Sequence, residues 1–210
     1  MYEHVNDTVG KYTVPILWDK KLNTIVNNES SEIIRMLNSE FNDFSKFPDL
    51  DLYPQEKRAQ IDEVNEWVYP TINNGVYRCG FAQSQAAYDE AIDQLTESFD
   101  RVEDILSKQR YISGSQFTEA DIRLFVTLLR FDEVYAVYFK TNTRSVRESP
   151  AILNYMREVY QKPGIAETCN MEQIKQHYFC SHASLNRYSI IPKGKDFISM
   201  LTLPHNREEI

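Results

Sequence analysis

Two short segments near the start of the chain carry groups suited to holding the two ends of a small peptide. The first is Val14-Pro15, ahead of Ile16-Leu17-Trp18-Asp19. An X-Pro bond entering a strand can be cis, which turns the amide and carbonyl of the preceding residue outward. Those groups can then pair with an extended peptide as a neighbouring strand would. A trans proline opening a strand is the plainer reading of the same dipeptide. The second segment is Asn28-Glu29-Ser30-Ser31, ahead of the helically spaced Ile33, Ile34, Met36 and Leu37. Free amides at a helix N-terminus and the hydroxyl of Ser30 make an anion site for an α-carboxylate. Glu29 beside it can take an α-ammonium group. Ser, Asn and Glu are also favoured at helix starts for capping and dipole reasons alone. What favours binding is the brevity of the strand, hairpin and helix, which must bring Val14 and Ser30 side by side.

Two tyrosines form a further candidate pair. Gly75 and Gly80 flank Tyr77 in Asn73-Asn74-Gly75-Val76-Tyr77-Arg78-Cys79-Gly80-Phe81, a pattern of backbone placed for a purpose rather than of maximal helix stability. Tyr178 ends the apolar-spaced run Ile174-Lys175-Gln176-His177-Tyr178-Phe179. A tyrosine hydroxyl can donate to a quinone or phenol oxygen while the ring meets its face. The chain has 13 tyrosines, however, and most must be packing residues. Thr118-Glu119-Ala120-Asp121, ahead of an apolar run, is a capping box with Asp121 as the acceptor and reads as structural. Cys79, Cys169 and Cys180 show neither CxxC spacing nor a disulfide framework. No cysteine lies among the residues before Val14. The four histidines give no compact ligand set, since His177 and His182 are poorly spaced for one helix face, so no metal is expected.

The elements that must position these groups fall into two parts. Residues 1–45 read as strand, turn, strand and helix. Two strands and one helix bury little, and the strand near Thr13 to Trp18 needs a cover for its open edge, with Met1 to Lys11 as one candidate. Residues 46–54, rich in Pro and Asp, read as a linker. Beyond them the spacing turns helical, with Ile61, Val64, Trp67, Val68 and Ile72 on one face of a helix from about Gln55. Further helices are expected from about Ser84 to Lys108, after Phe117, from Ala151 to Tyr160 and from Met171 to Phe179. The fourth stops at Lys162-Pro163-Gly164. The all-α domain spans 55–182, and 183–210 is an ordered extension.

The 210 residues are 42% hydrophobic and 26% charged, ordinary for a soluble globular protein. A net charge of -8 without a basic patch argues against a nucleic-acid surface. No apolar run approaches a membrane span, and no secretory signal is visible, so a cytoplasmic protein is expected.

Taken together, the motifs TVPILWD, TIVNNESSEIIRMLNS, INNGVYRCGFA, FTEADIRLF, RFDEVY, YFKTN, PGIAET, IKQHYFCSH and the final PKG with PH resemble the glutathionyl-hydroquinone reductases. These form the Xi class of the glutathione transferase superfamily and are also grouped as omega-like. The resemblance runs from residue 12 to about 205. It implies a mainly α fold, in which a partial thioredoxin-like βα half-domain precedes an all-α glutathione-transferase C-terminal domain. It also implies glutathione as co-substrate, with Val14 and a cis Pro15 on its cysteinyl part and Glu29 and Ser30 on its γ-glutamyl end. Tyr77 and Tyr178 would face an aromatic quinol, and the family protein is a homodimer. The family reaction uses a cysteine thiolate that attacks the sulfur of a glutathionyl-hydroquinone and is regenerated by a second glutathione.

Members carry that cysteine in a Cys-Pro-Trp-Ala segment that has no counterpart in these residues, and Tyr138 stands where members usually have His. One expectation is therefore the downstream part of a working reductase whose start is missing. The alternative is a non-catalytic glutathione- or quinol-binding remnant, or an interaction surface.

Overall fold

The Val14–Pro15 peptide bond is cis, and the chain runs from it into a short antiparallel hairpin. Strand β1 (Leu17–Asp19) pairs with β2 (Thr24–Asn27), Trp18 opposite Ile25 and Asp19 opposite Thr24. Asp19 closes the turn by accepting from the amides of Lys21 and Leu22, both at 2.8 Å. Asn23 takes the left-handed conformation the turn requires, one that Asn tolerates. Helix α1 (Ser30–Ser39) follows and buries Ile33. The computed structural model describes residues 1–10 and 12–210, which form two compact units, Met1–Lys57 and Arg58–Ile210.

Residues 46–54 do more than link. Asn38 of α1 donates to Asp51 at 2.7 Å and accepts from the amide of Leu52 at 2.8 Å, so this stretch folds with the first unit. The residues expected to cover the strand edge include a short 3-10 turn, Glu3–Val5, which packs against β2. Tyr2 is buried beside it, and the His4 ring meets Trp18 edge-on at 5.8 Å. Among the described residues β1 pairs only with β2. Lys11, the end of the expected cover, lies outside the described residues.

The second unit is helical throughout. The helix expected from Gln55 opens as a 3-10 turn, Gln55–Lys57, and becomes α2 at Arg58–Val68, burying Ile61, Val64 and Val68. Pro70 cannot supply an amide, and the chain widens into a π-turn, Tyr69–Asn73, before α3 (Gly75–Gly80). Helix α4 (Gln85–Leu106) is capped by the Ser84 hydroxyl, which accepts from the Ala87 amide at 3.2 Å. Helix α5 (Glu119–Arg130) opens on the expected reciprocal box, with Asp121 Oδ2 accepting from the Thr118 amide at 2.9 Å. A second π-turn, Phe131–Tyr135, leads to the single turn α6 (Ala136–Tyr138). Pro150 begins α7 (Pro150–Gln161), and Pro163 with Gly164, at φ +86°, ends it.

Asn170 caps α8 (Met171–Ser181). The tail then supplies α9 (Phe197–Leu201), which lays Phe197 and Leu201 into the core beside α7. That core holds Ile61, Leu95, Phe99, Leu106, Leu124, Phe131 and Tyr155, all essentially inaccessible, with the Phe99 and Phe131 rings 4.8 Å apart.

Candidate functional site

In the first unit a single hydroxyl ties together the two segments singled out for binding. Tyr2 Oη donates to the carbonyl of Thr13 at 2.7 Å and accepts from the side-chain amide of Asn28 at 3.1 Å. Thr13 precedes Val14 and Asn28 precedes Glu29, so both segments meet at one buried phenol. Asn27 braces the same corner, accepting from the Glu29 amide at 2.7 Å and donating to the Glu32 carboxylate. Glu29 is extended, and its carbonyl starts α1 by accepting from the amides of Glu32 and Ile33. Val14, Pro15, Glu29 and Ser30 are all exposed, Val14 to 86%. The residues of both segments are therefore accessible to a ligand. Tyr2 was missed as a site residue because nothing in the spacing of residues 1–7 marks a buried phenol.

The second unit brings Tyr77 of α3 and Tyr178 of α8 together, their hydroxyls 2.5 Å apart. A third hydroxyl, Tyr135 at the end of the second π-turn, lies 2.8 Å from that of Tyr178. Tyr178 is thus the middle of a three-hydroxyl chain running from buried Tyr135 to half-buried Tyr77. The three rings surround Phe139, with centroids 5.3, 5.5 and 6.1 Å from it for Tyr77, Tyr135 and Tyr178. Gly80 is what admits Phe139: a Cβ at that position would lie 2.2 Å from its ring. The glycines around Tyr77 thus sit within a helix, and Gly80 serves close ring packing. Burial holds the hydroxyls of Tyr135 and Tyr178 protonated, well above the ordinary tyrosine range, so they act as donors rather than bases. Tyr135 was missed because it closes a π-turn, where helical spacing no longer tells which face it takes.

Tyr178 also lines a groove of about 480 Å³ between α5 and α8, with Phe125, Leu129, Arg130, Cys169 and His177. Tyr77 stands behind it, hydroxyl to hydroxyl. The groove combines apolar walls with the Arg130 cation, a lining suited to an aromatic molecule carrying negative charge. Thr118 and Asp121 are fully buried; they start α5, and Asp121 Oδ1 also accepts from the Ile112 amide and the Tyr155 hydroxyl.

The cysteines are poorly placed for nucleophilic work. Cys79 is wholly buried, and burial pushes its thiol up to about 11. Burial raises Cys169 as well, while Cys180 is exposed. Among the described residues no group of three or more His, Cys, Asp or Glu could hold a metal ion, and no helix is long and apolar enough to cross a membrane. The Tyr138 hydroxyl donates to the carbonyl of His182 at 3.4 Å.

Residues 85–158 match the model of the glutathione S-transferase C-terminal domain. Over 199 residues the chain is 49% identical to glutathionyl-hydroquinone reductase YqjG of Escherichia coli K12, covering 95% of this chain and 60% of that protein. It is 46% identical to glutathionyl-hydroquinone reductase PcpF of Sphingobium chlorophenolicum, covering 88% of this chain and 59% of that one. The glutathione-bound structure of YqjG superposes with a TM-score of 0.90 at 47% identity, over 99% of this chain and 66% of that one. The glutathione transferase Xi 1 structure from Trametes versicolor gives 0.89 at 51% identity, over 97% and 70%. The chain belongs to the glutathione transferase family. Within that family it falls in the Xi class, close to the glutathionyl-hydroquinone reductases, and it spans about three fifths of the length of the named reductases it matches.

Proposed function

We propose that this chain supplies the glutathione-holding and quinol-holding surfaces of a glutathione-dependent reductase of aryl glutathione thioethers. The observation that carries the reading is the Tyr2 hydroxyl, which joins the residue before Val14 to the residue before Glu29. With those segments fixed together, Val14 offers its backbone to the cysteinyl unit of glutathione, as a strand offers its edge. Ser30 and the first amides of α1 take the γ-glutamyl carboxylate, and Glu29 takes the ammonium. In the second unit the Tyr178 ring, its hydroxyl held by Tyr77 and Tyr135, offers a surface to the aromatic part of a quinol.

In the reaction a cysteine thiolate attacks the thioether sulfur. The sulfur–aryl bond breaks, its electron pair stays with the ring carbon, and that carbon takes a proton as the hydroquinone leaves. The cysteine is left disulfide-bonded to glutathione, and a second glutathione thiolate attacks that bond, releasing glutathione disulfide and the cysteine thiolate. The attacking thiol in this scheme is none of Cys79, Cys169 and Cys180. The burial of Cys79 also supports a second reading, a protein that binds glutathione or quinols without turnover.

Calorimetric titration of the 210-residue chain with glutathione tests the shared step. Binding that Glu29→Ala abolishes is the expected result, and no binding to the unaltered chain overturns the first reading and leaves only quinol binding of the second. Adding glutathionyl-hydroquinone and excess glutathione then tests the exclusion of the three cysteines: release of hydroquinone by the unaltered chain that Cys79→Ser, Cys169→Ser or Cys180→Ser abolishes would refute it. As in the family at large, a homodimer is the assembly we infer.

A further inference from the structure

Two residues before Tyr135, Glu133 is buried at the centre of an ion cluster. Its Oε1 accepts from Arg147 at 3.0 Å and from the amide of Lys195 at 3.1 Å, and its Oε2 accepts from Lys175 Nζ at 3.4 Å. Lys175 lies one helical turn before Tyr178 on α8, so this ion pair joins the same two elements as the Tyr135–Tyr178 hydrogen bond. The tail closes over the pair: Lys175 also donates to the carbonyl of Lys193 at 2.8 Å. Gly194, at φ +75°, passes so close that a Cβ there would lie 1.7 Å from Glu133 Oε2 and 2.9 Å from Lys175 Nζ. Only glycine lets the strap Lys193–Lys195 reach this position. Asp132 anchors the other side, accepting from the amides of Val146 and Arg147 and from the Arg147 guanidinium.

A buried carboxylate with three donors is stable only while all three stay in place. Its geometry is therefore stiff, and what it joins are the π-turn that ends in Tyr135 and the helix turn that carries Tyr178.

We propose that Glu133, Lys175 and the Gly194 strap are positioning residues that set the place of the Tyr178 hydroxyl, and with it the hold on the aromatic part of the ligand. The ligand half of this inference rests on the function proposed above. The positioning half does not.

The test uses tyrosine labelled with 13C at Cζ, whose chemical shift reports hydrogen bonding of the hydroxyl, with the Tyr178 signal assigned by Tyr178→Phe. Lys175→Met is expected to shift that signal and Lys175→Arg to restore it. Gly194→Ala, which displaces the strap and leaves every charge in place, is expected to shift it as Lys175→Met does. Affinity for 4-methoxyphenol, an aromatic ring with a phenolic hydroxyl and no glutathionyl part, should fall about five-fold or more in Lys175→Met and return in Lys175→Arg. A Tyr178 signal unmoved in a folded Lys175→Met, or one that Lys175→Arg fails to restore, overturns the positioning role. Should Gly194→Ala not fold, the two Lys175 variants decide alone. If the unaltered chain does not bind 4-methoxyphenol, the quinol-holding part of the proposed function fails while the spectrum still decides the positioning role.

Discussion

The hydroxyls of Tyr135 and Tyr178 lie 2.8 Å apart across 43 residues of sequence, one at the end of a π-turn and the other near the end of α8. Tyr178 also meets Tyr77, so removing its hydroxyl takes out the middle of the chain. Tyr178→Phe is expected to cost about 1–3 kcal/mol, because it strips a hydrogen-bond partner from the buried Tyr135. Tyr77 is only half-buried, water can replace its partner, and Tyr77→Phe is expected to cost under about 1 kcal/mol. Urea unfolding of both variants measures the order. Equal losses would mean the hydroxyls do not act as a connected chain.

Thiol reactivity follows burial in the same way. Cys180 is exposed, Cys169 partly covered and Cys79 inaccessible. With a disulfide reagent such as dithionitrobenzoate, the native chain is expected to release one equivalent quickly, a second slowly and the third only on unfolding. Cys180→Ser should delete the fast phase. A fast phase that survives in Cys180→Ser and vanishes in Cys79→Ser would point to an activated thiol at α3, against the exclusion of Cys79 as nucleophile.

Much of the helical unit is legible in the chain because its signals are local. Ser84 starts α4, Thr118 and Asp121 start α5, Pro150 opens α7, and Pro163 with Gly164 ends it, each acting within a few residues of itself. The Val14 and Glu29 segments are legible as a candidate site for the same reason: brevity forces them together. What stays hidden acts over distance. The Tyr2 hydroxyl finds an acceptor 11 residues away and a donor 26 residues away, with no periodicity to announce it. The tail reads as a mere extension because its anchors, Glu133 for Gly194 and the end of α4 for Arg207, are remote in sequence. Helical spacing also misleads at the two π-turns, where an inserted residue shifts the following side chains to another face.

The capping carboxylate gives a prediction about pH. Asp121 is fully buried, and despite accepting from the amides of Ile112 and Thr118 and the hydroxyl of Tyr155, burial pushes its carboxyl up to about 6. The folded chain therefore holds this proton more tightly than the unfolded chain, where Asp titrates near its ordinary 3.8. The stability it contributes is fully present below about 4 and is lost as pH rises through about 6. Asn at this position has no proton to lose. The stability of the unaltered chain relative to Asp121→Asn should therefore drop by about 3 kcal/mol between pH 3.5 and 7, at about 1.36 kcal/mol per pH unit of displacement. Paired chemical denaturation across that range measures the difference. A difference constant with pH would mean that the carboxyl titrates in the folded chain as it does in the unfolded one.

The last turn of α4 is closed from the far end of the chain. Arg207, fully buried, donates to the carbonyls of Leu106 and Gln109, each at 2.6 Å, and to that of Arg110. These carbonyls at and just beyond the helix end have no partner within the helix, and a cation there also faces the negative end of the dipole. Three planar donors in fixed directions are what this contact needs, so lysine is a poor substitute. Arg207→Ala is expected to cost about 3 kcal/mol, leaving buried carbonyls unmet, and Arg207→Lys to recover less than half of that. Because Phe197 and Leu201 precede it in the same tail, losing this anchor should free α9 as well. Hydrogen exchange of the α9 amides is then expected to accelerate together with those of residues 107–110. Acceleration confined to 107–110 would show that α9 holds to α7 without help from Arg207.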